Sequence, residues 1–401
     1  MFERLSQIEP LIPKERKPLA ELAMKVYKEA SELSGMVHPI TRKEIARLLR
    51  HINSYYSNRI EGEHTTPADI EKAVKNEYST DENKKRLQIL SVAHIEVQKL
   101  IDERFESGEE VPVCSAGFLC WIHKAFYERV PESFLKIHHP DRDEYIRMIP
   151  GEVRNEDVVV GKHIPPRWEK LPIFLNRFEE VYASDSIYGH KELILAAASH
   201  HRLTWIHPFL DGNGRVSRLF TYAFMRKAGI ESHGLWTLSR GFARKSEDYK
   251  QMLAHADQPR AGDLDGRGNL SENALIDFSM FFFETAEDQI SFMKKMLSLD
   301  GMHNRIVSYV NRRSDQSLPD EKPLRPEAKY VLTEVMMRGE IARGEVPRLI
   351  GLGERTATDL IGQLIAEELV TSTSHRSPLR FHIPAKVVGY YFPDLYPAGS
   401  I

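Results

Sequence analysis

Twelve consecutive residues, His207-Pro208-Phe209-Leu210-Asp211-Gly212-Asn213-Gly214-Arg215-Val216-Ser217-Arg218, join one helically patterned segment to the next and bring several kinds of chemistry together. Gly212 and Gly214 permit close backbone approach and unusual torsions, so amide N–H groups at the start of the following helix can point at an anion. Phosphate is the natural guest. Arg215 and Arg218, three residues apart, lie on neighbouring faces of that helix and offer forked donors to phosphate oxygens. Asp211 supplies the hard oxygen ligand that suits a magnesium ion bridging the same phosphates. His207, four residues earlier, can take a proton from an attacking hydroxyl near neutral pH. Singly, these are a turn, a packed histidine and a solvated arginine pair. Jointly, in one short window, they predict a site for phosphate chemistry.

The elements that must hold this window read as helices. Leu19, Leu22, Ala23, Val26, Tyr27, Ala30 and Leu33 recur at helical spacing up to Gly35, and Ile45, Leu48, Leu49, Ile52 and Tyr56 continue the pattern. Thr66-Pro67 reads as an N-cap followed by proline at the first helical position. Further apolar stripes predict helices around 87–101, 119–126, 168–182, 193–203, 216–224, 246–253 and 278–296. Between Tyr145 and Pro166 the β-branched run Val158-Val159-Val160, bracketed by Gly151, Gly161 and Pro165-Pro166, predicts a short hairpin. Asp263, Asp265, Gly268 and Asn269 partly imitate a calcium loop, but Arg267 and Ala274 occupy ligand positions, so a structural loop is expected.

The 401 residues exceed one average domain, and a net charge of -3 is too balanced to predict a bulk polyanion partner, so any nucleic-acid contact must be local. Cys114 and Cys120 are the only cysteines, which fits a reducing compartment. The N-terminus lacks the apolar core of a signal peptide, and no apolar run reaches the ~18 residues of a membrane span, so a cytoplasmic location without membrane contact is expected.

The His207–Arg218 window matches the Fic family signature H-P-F-x-[DE]-G-N-G-R-x-x-R at every specified position, and the chain resembles a Fic-family adenylyltransferase. The resemblance extends back through Gly151-Glu152-Val153-Arg154, Val158 to Gly161 and Pro165-Pro166, which look like the family's flap hairpin; a plain surface hairpin is the alternative. It implies a mainly α fold: a Fic-type helical core with a short β-hairpin flap. It also implies ATP as substrate, with Mg2+, and transfer of AMP to a Ser, Thr or Tyr hydroxyl of a target protein or of the chain itself. His207 would be the base and Asp211 the metal ligand. Gly212, Asn213, Gly214, Arg215, Val216, Ser217 and Arg218 would hold the nucleotide. Tyr249 resembles the family's nucleotide-side tyrosine, although Asp248 replaces its usual tyrosine neighbour, and a packed helix-surface tyrosine is the alternative. No Walker A sequence is present.

Ser57-Asn58-Arg59-Ile60-Glu61-Gly62 fits the family's inhibitory pattern [ST]-x-x-x-E-[GN], as in its N-terminally inhibited class. Ser57, Glu61 and Gly62 would then form a brake in which Glu61 pairs with Arg218 and removes a donor that the γ-phosphate needs. A carboxylate there could instead position water to remove AMP, and related Fic proteins move UMP, phosphocholine or a γ-phosphate, so those alternatives stay open. Near the C-terminus, Val346 to Ile350 and Ala357 to Ile365 read as two helices joined by a glycine turn, followed by two short strands around Ser377-Pro378. This resembles a winged helix-turn-helix, with Arg355, Thr356 and Thr358 placed to meet a DNA groove. Residues 343–380 hold five Arg against five acidic residues, however, without the basic stripe that DNA affinity requires. A protein-facing or dimerisation role is therefore expected first, and a nucleotide-sensing DNA-binding regulator is the competing function. The expected units are an N-terminal helical region (1–105) carrying the inhibitory motif, a catalytic domain (106–311), a polar linker (312–323) and a winged-helix-like domain (324–390). Family habit implies a homodimer.

Overall fold

The computed structural model describes residues 3–139, 144–183, 189–230, 232–316, 318 and 322–397. The chain begins with α1 (Lys17–Gly35), α2 (Pro39–Ile60), α3 (Pro67–Val74), α4 (Glu82–Glu106) and α5 (Ala116–Tyr127). Two short strands follow, β1 (Lys136–His139) and β2 (Glu144–Arg147). Then come α6 (Leu171–Tyr182), α7 (His190–Ile206), α8 (Asn213–Lys227), α9 (Leu238–Arg244), α10 (Ser246–Ala256), α11 (Glu272–Leu297) and α12 (Leu299–Ser314). The last stretch contains α13 (Ala328–Arg338), β3 (Glu340–Ile341), α14 (Val346–Ile350), α15 (Glu354–Ala366), β4 (Val370–Thr371), β5 (Leu379–Phe381) and α16 (Ala385–Tyr391).

The long helices bury the stripes their sequences carry. α1 sinks Leu19, Ala23, Val26, Ala30 and Leu33 at helical period, and Pro18 starts it where a missing N–H costs little. α2 buries Ile45, Leu48, Leu49, Ile52 and Tyr56 and stops before Gly62, whose φ of +83° turns the chain away. Thr66 caps α3 by accepting from the Asp69 amide at 3.1 Å. α11 packs against α1, α7, α9 and α10, while α8 lies against α7, α5 and α2. The expected boundary at residue 105 thus falls in the last turn of α4, and the helices on either side of it share one apolar core.

Two expectations need correction. The paired hairpin is β1–β2, in antiparallel register from Lys136 opposite Arg147 to His139 opposite Glu144, and only its second strand reaches into the start of the predicted stretch, well before the valine run. Within 158–163 only Val160 and His163 exchange a bridge, with N···O distances of 3.0 and 2.9 Å. Two of the three valines find no surface to cover, Val159 being 68% exposed and Val160 40%, so β propensity alone does not make a strand. The expected linker is also partly ordered structure. α12 runs through Ser314, and the fully buried Arg313 pairs with Glu367 at 2.8 Å and donates to Lys322 O. Residues 317 and 319–321 of that segment lie outside the described residues.

After α12 the element order is helix, strand, two helices and two strands, with a three-stranded antiparallel sheet in the order β3-β5-β4. α13 and β5 pack on α2, and α16 packs on α3 and α12. Both cysteines are free thiols. No described helix is long and apolar enough to cross a membrane.

Candidate active site

α7 ends at His207, which takes a left-handed conformation (φ 50°, ψ 62°) and turns the chain toward α8. Gly212, also left-handed (φ +79°), is the N-cap of α8, and a Cβ there would overlap the Tyr127 ring and hydroxyl, so glycine is required twice over. Asn213 clips the loop between them: its Oδ1 accepts from the Phe209 amide at 2.9 Å and its Nδ2 donates to Phe209 O at 2.8 Å. Val216 N donates to Gly212 O at 2.9 Å, which begins the helical bonding pattern. The amides of Gly212, Asn213, Gly214 and Arg215 therefore precede the first intrahelical partner and form the positive end of α8. The side chains of Val216 and Ser217, expected to help hold nucleotide, are buried in the first turns of α8.

His207 Nδ1 lies 3.3 Å from Thr204 O. A carbonyl only accepts, so Nδ1 carries the hydrogen and Nε2 keeps its lone pair as a proton acceptor. Burial pushes the imidazole down to about 4, which keeps it neutral near pH 7. Asp211 is exposed, and the Tyr127 hydroxyl donates to its Oδ2 at 3.5 Å. Arg215 is buried, with Nε 3.4 Å from Asn58 Oδ1 and Nη1 3.5 Å from the Tyr127 hydroxyl.

The end of α2 lies across this nest. Arg218 Nε donates to Ser57 Oγ at 2.9 Å, and Nη2 donates to Ser57 O at 3.0 Å and to Glu61 Oε1 at 2.5 Å. A Cβ on Gly214 would overlap Glu61 Oε1, so the carboxylate rests directly on the first turn of α8. Burial pushes the Glu61 carboxyl up, but the charges of Arg218 and Arg215 and the Arg218 hydrogen bond outweigh it and hold the group below its ordinary range. Gly62, next in the expected inhibitory pattern, supplies the turn that ends α2. Tyr249, expected on the nucleotide side, is buried behind Arg218, its ring 4.2 Å from Phe242 and its hydroxyl 2.8 Å from His200 Nε2.

Two residues hold the chain around His207 in place: Arg154, which the sequence placed only in the flap-like segment, and His163. Arg154 has a fully buried guanidinium that donates to His207 O at 2.9 Å, Glu156 O at 2.8 Å and Pro166 O at 2.5 Å, and its own amide donates to Pro208 O at 2.9 Å. His163 Nε2 donates to Trp205 O at 2.8 Å. Both ends of the 154–166 segment are thereby pinned to the chain around His207. Tyr127, between Asp211 and Arg215, is another residue not anticipated; burial pushes its hydroxyl well above the ordinary phenol range. Among the described residues no group of three or more His, Cys, Asp or Glu forms a metal cage. A single exposed carboxylate suits Mg2+, which takes one or two carboxylates together with substrate phosphates.

Residues 114–225 match the Fic/DOC family. The protein adenylyltransferase Fic of Drosophila erecta is 43% identical over 79 residues, 20% of this chain and 16% of that protein. The one from Aedes aegypti is 42% identical over 107 residues, 27% of this chain and 21% of that protein. The matched stretch is thus about a fifth of those relatives' length. A Fic family protein from Desulfovibrio desulfuricans G20 has a similar fold, with TM-score 0.50 and 16% identity over 92% of this chain and 98% of that one. Fic-1 from C. elegans gives TM-score 0.50 and 15% identity over 69% of this chain and 72% of that one. The signature loop, the helix whose amides it opens and the helical body around them all fall in or beside residues 114–225, the stretch that matches the Fic/DOC family.

Proposed function

We propose that this chain is a protein adenylyltransferase that moves AMP from ATP to a hydroxyl of a target protein or of itself, and that Glu61 restrains it. The observation that carries the reading is the anion nest at the start of α8, with a neutral base at one end of its loop and a carboxylate already seated on it. In the reaction, the target hydroxyl oxygen bonds to the α-phosphorus as the bond to the β-phosphate oxygen breaks. Pyrophosphate leaves, and His207 Nε2 takes the hydroxyl proton. The amides of Gly212 to Arg215 and the guanidiniums of Arg215 and Arg218 stabilise phosphate charge. Asp211 would hold Mg2+, which when bound neutralises charge on the phosphates.

Glu61 competes for this machinery. Its carboxylate covers Gly214 and occupies Arg218, so a triphosphate meets negative charge where it needs a donor. The partners that follow are ATP and a protein hydroxyl, in a cytoplasmic setting that suits two free thiols. For the C-terminal module the element order supports a winged helix, and its balanced charge favours a protein-facing or dimerising role over DNA. Arg355 and Thr358 are exposed on α15, but acidic Glu354 and Asp359 are exposed beside them.

ATP labelled separately at the α and γ positions tests the reaction, using the wild type, Glu61→Gly and His207→Ala. Transfer of α label that disappears with His207→Ala is expected; transfer of γ label alone overturns the reading. The reverse reaction has one supporting feature, the 32% exposure of the Glu61 side chain, which leaves water access to it. Release of AMP from a prelabelled target by wild type but not by Glu61→Gly would establish it.

A further inference from the structure

The helix that ends in the brake is also the helix on which the C-terminal part of the chain sits. Along α2, Thr41 Oγ1 donates to Met336 O at 2.7 Å, and Glu44 accepts from the Ile383 amide at 2.8 Å and faces His382 Nδ1 at 3.0 Å. Arg47 holds Glu44 from the same helix and donates to Ile383 O at 3.1 Å. Closer to the site, Tyr55 meets Tyr396 edge to face with centroids 5.1 Å apart, and the Tyr56 hydroxyl donates to Leu395 O at 3.0 Å. From the other side of the tail, Arg240 on α9 donates to Leu395 O at 3.2 Å and Asp394 O at 2.6 Å. Tyr55, Tyr56, Leu395 and Tyr396 are all buried by this packing.

Tyr56 and Ser57 are consecutive, so the tail and Arg218 grip the same turn of α2 on faces about 100° apart. A helix transmits such a constraint because its own hydrogen bonds fix the relation between those faces. The Arg218 bonds to Ser57 and Glu61 span 2.5 to 3.0 Å, and hydrogen bonds of that kind are lost when the partners separate by about 1 Å. A small shift of the last turn therefore suffices to uncover Gly214. The tail follows β5 directly, so strain on the three-stranded sheet reaches α2 through residues 382 and 383, both of which contact Glu44.

We infer that residues 382–396 are a second component of the brake: docked on α2, they hold its last turn against Arg218, and loosening them frees Glu61 from the motif. The inference rests on the inhibitory reading of Glu61, and the experiment separates the two.

In the full chain, Tyr396→Ala removes the edge contact, while Tyr56→Phe removes the hydroxyl bond and keeps the ring. Each is made in the wild-type and Glu61→Gly backgrounds, and AMP transfer, ATP affinity and thermal melting are measured. Each is expected to raise transfer about five- to thirtyfold in the wild-type background, the factor carried by ~1 to 2 kcal/mol, and to add nothing to Glu61→Gly. An equal rise in both backgrounds overturns the inference, and so does no rise in a protein where Glu61→Gly alone rises. No rise for Glu61→Gly itself overturns the inhibitory reading and, with it, this extension. Tyr56→Phe, the smaller change, decides the matter if Tyr396→Ala melts below the assay temperature.

Discussion

Replacing Glu61 by glycine removes the carboxylate that rests on the first turn of α8 but leaves Arg218 its two bonds to Ser57. The lost contact is a charge-assisted hydrogen bond of 2.5 Å between a nearly buried guanidinium, 3% exposed, and a carboxylate side chain that is 32% exposed. Such bonds contribute ~1.5 to 3 kcal/mol when shielded, and the exposure of Glu61 to solvent places this one at the lower end. Since ~1.4 kcal/mol is tenfold in rate, AMP transfer should rise about ten- to thirtyfold. The assay is incorporation of α-labelled phosphate from ATP by the purified full chain, with ATP affinity measured in parallel. Glu61→Gln is the control: it keeps the shape and loses the charge, so an intermediate rise is expected. An unchanged rate in Glu61→Gly, with ATP still bound, refutes the competition argument.

Other parts of the site give separate outcomes. His207→Ala should lower transfer about 10²- to 10⁴-fold, as loss of a general base does, with ATP affinity unchanged; retained transfer excludes His207 as the base. Arg154→Lys loses the fork that joins three carbonyls, so kcat should fall while the KM for ATP holds; an unchanged kcat contradicts its positioning role. Asp211→Asn should raise the Mg2+ concentration needed for half-maximal transfer, and an identical Mg2+ titration removes Asp211 as the ligand. Burial holds His51, His94 and His200 down to about 3 and His123 and His207 to about 4, against an ordinary 6.5. The unfolded chain therefore binds protons below about pH 6.5 that the folded chain refuses, so stability is complete above that value and falls as pH drops toward 4. A Tm that stays flat from pH 7 to 4.5 would contradict this.

The His207–Arg218 loop was legible because its chemistry is contiguous: it is read in one window, and amphipathic spacing located α7 and α8 on either side. The proposed brake was half legible. Ser57, Glu61 and Gly62 form a local pattern, but the contacts of Asn58 with Arg215 and of Tyr56 with Leu395 join residues 157 and 339 positions apart, which no periodicity reports. The role of Arg154 escaped because its partners are carbonyls of His207, Glu156 and Pro166, and a backbone acceptor leaves no mark on residue type. The valine run misled for the opposite reason: its propensity is visible in sequence, while the lack of any surface to cover it is not. Arg313 shows the same limit, since a polar stretch reads as linker until its ion pair with Glu367 is seen.

The most direct measurement is a crystal structure of Glu61→Gly with a non-hydrolysable ATP analogue and Mg2+. The account predicts phosphate oxygens on the amides of Gly212 to Arg215, Arg218 turned from Ser57 toward the triphosphate, and the α-phosphorus in line with a hydroxyl oxygen that His207 Nε2 can reach. A triphosphate bound elsewhere, with the start of α8 left to solvent, would contradict it.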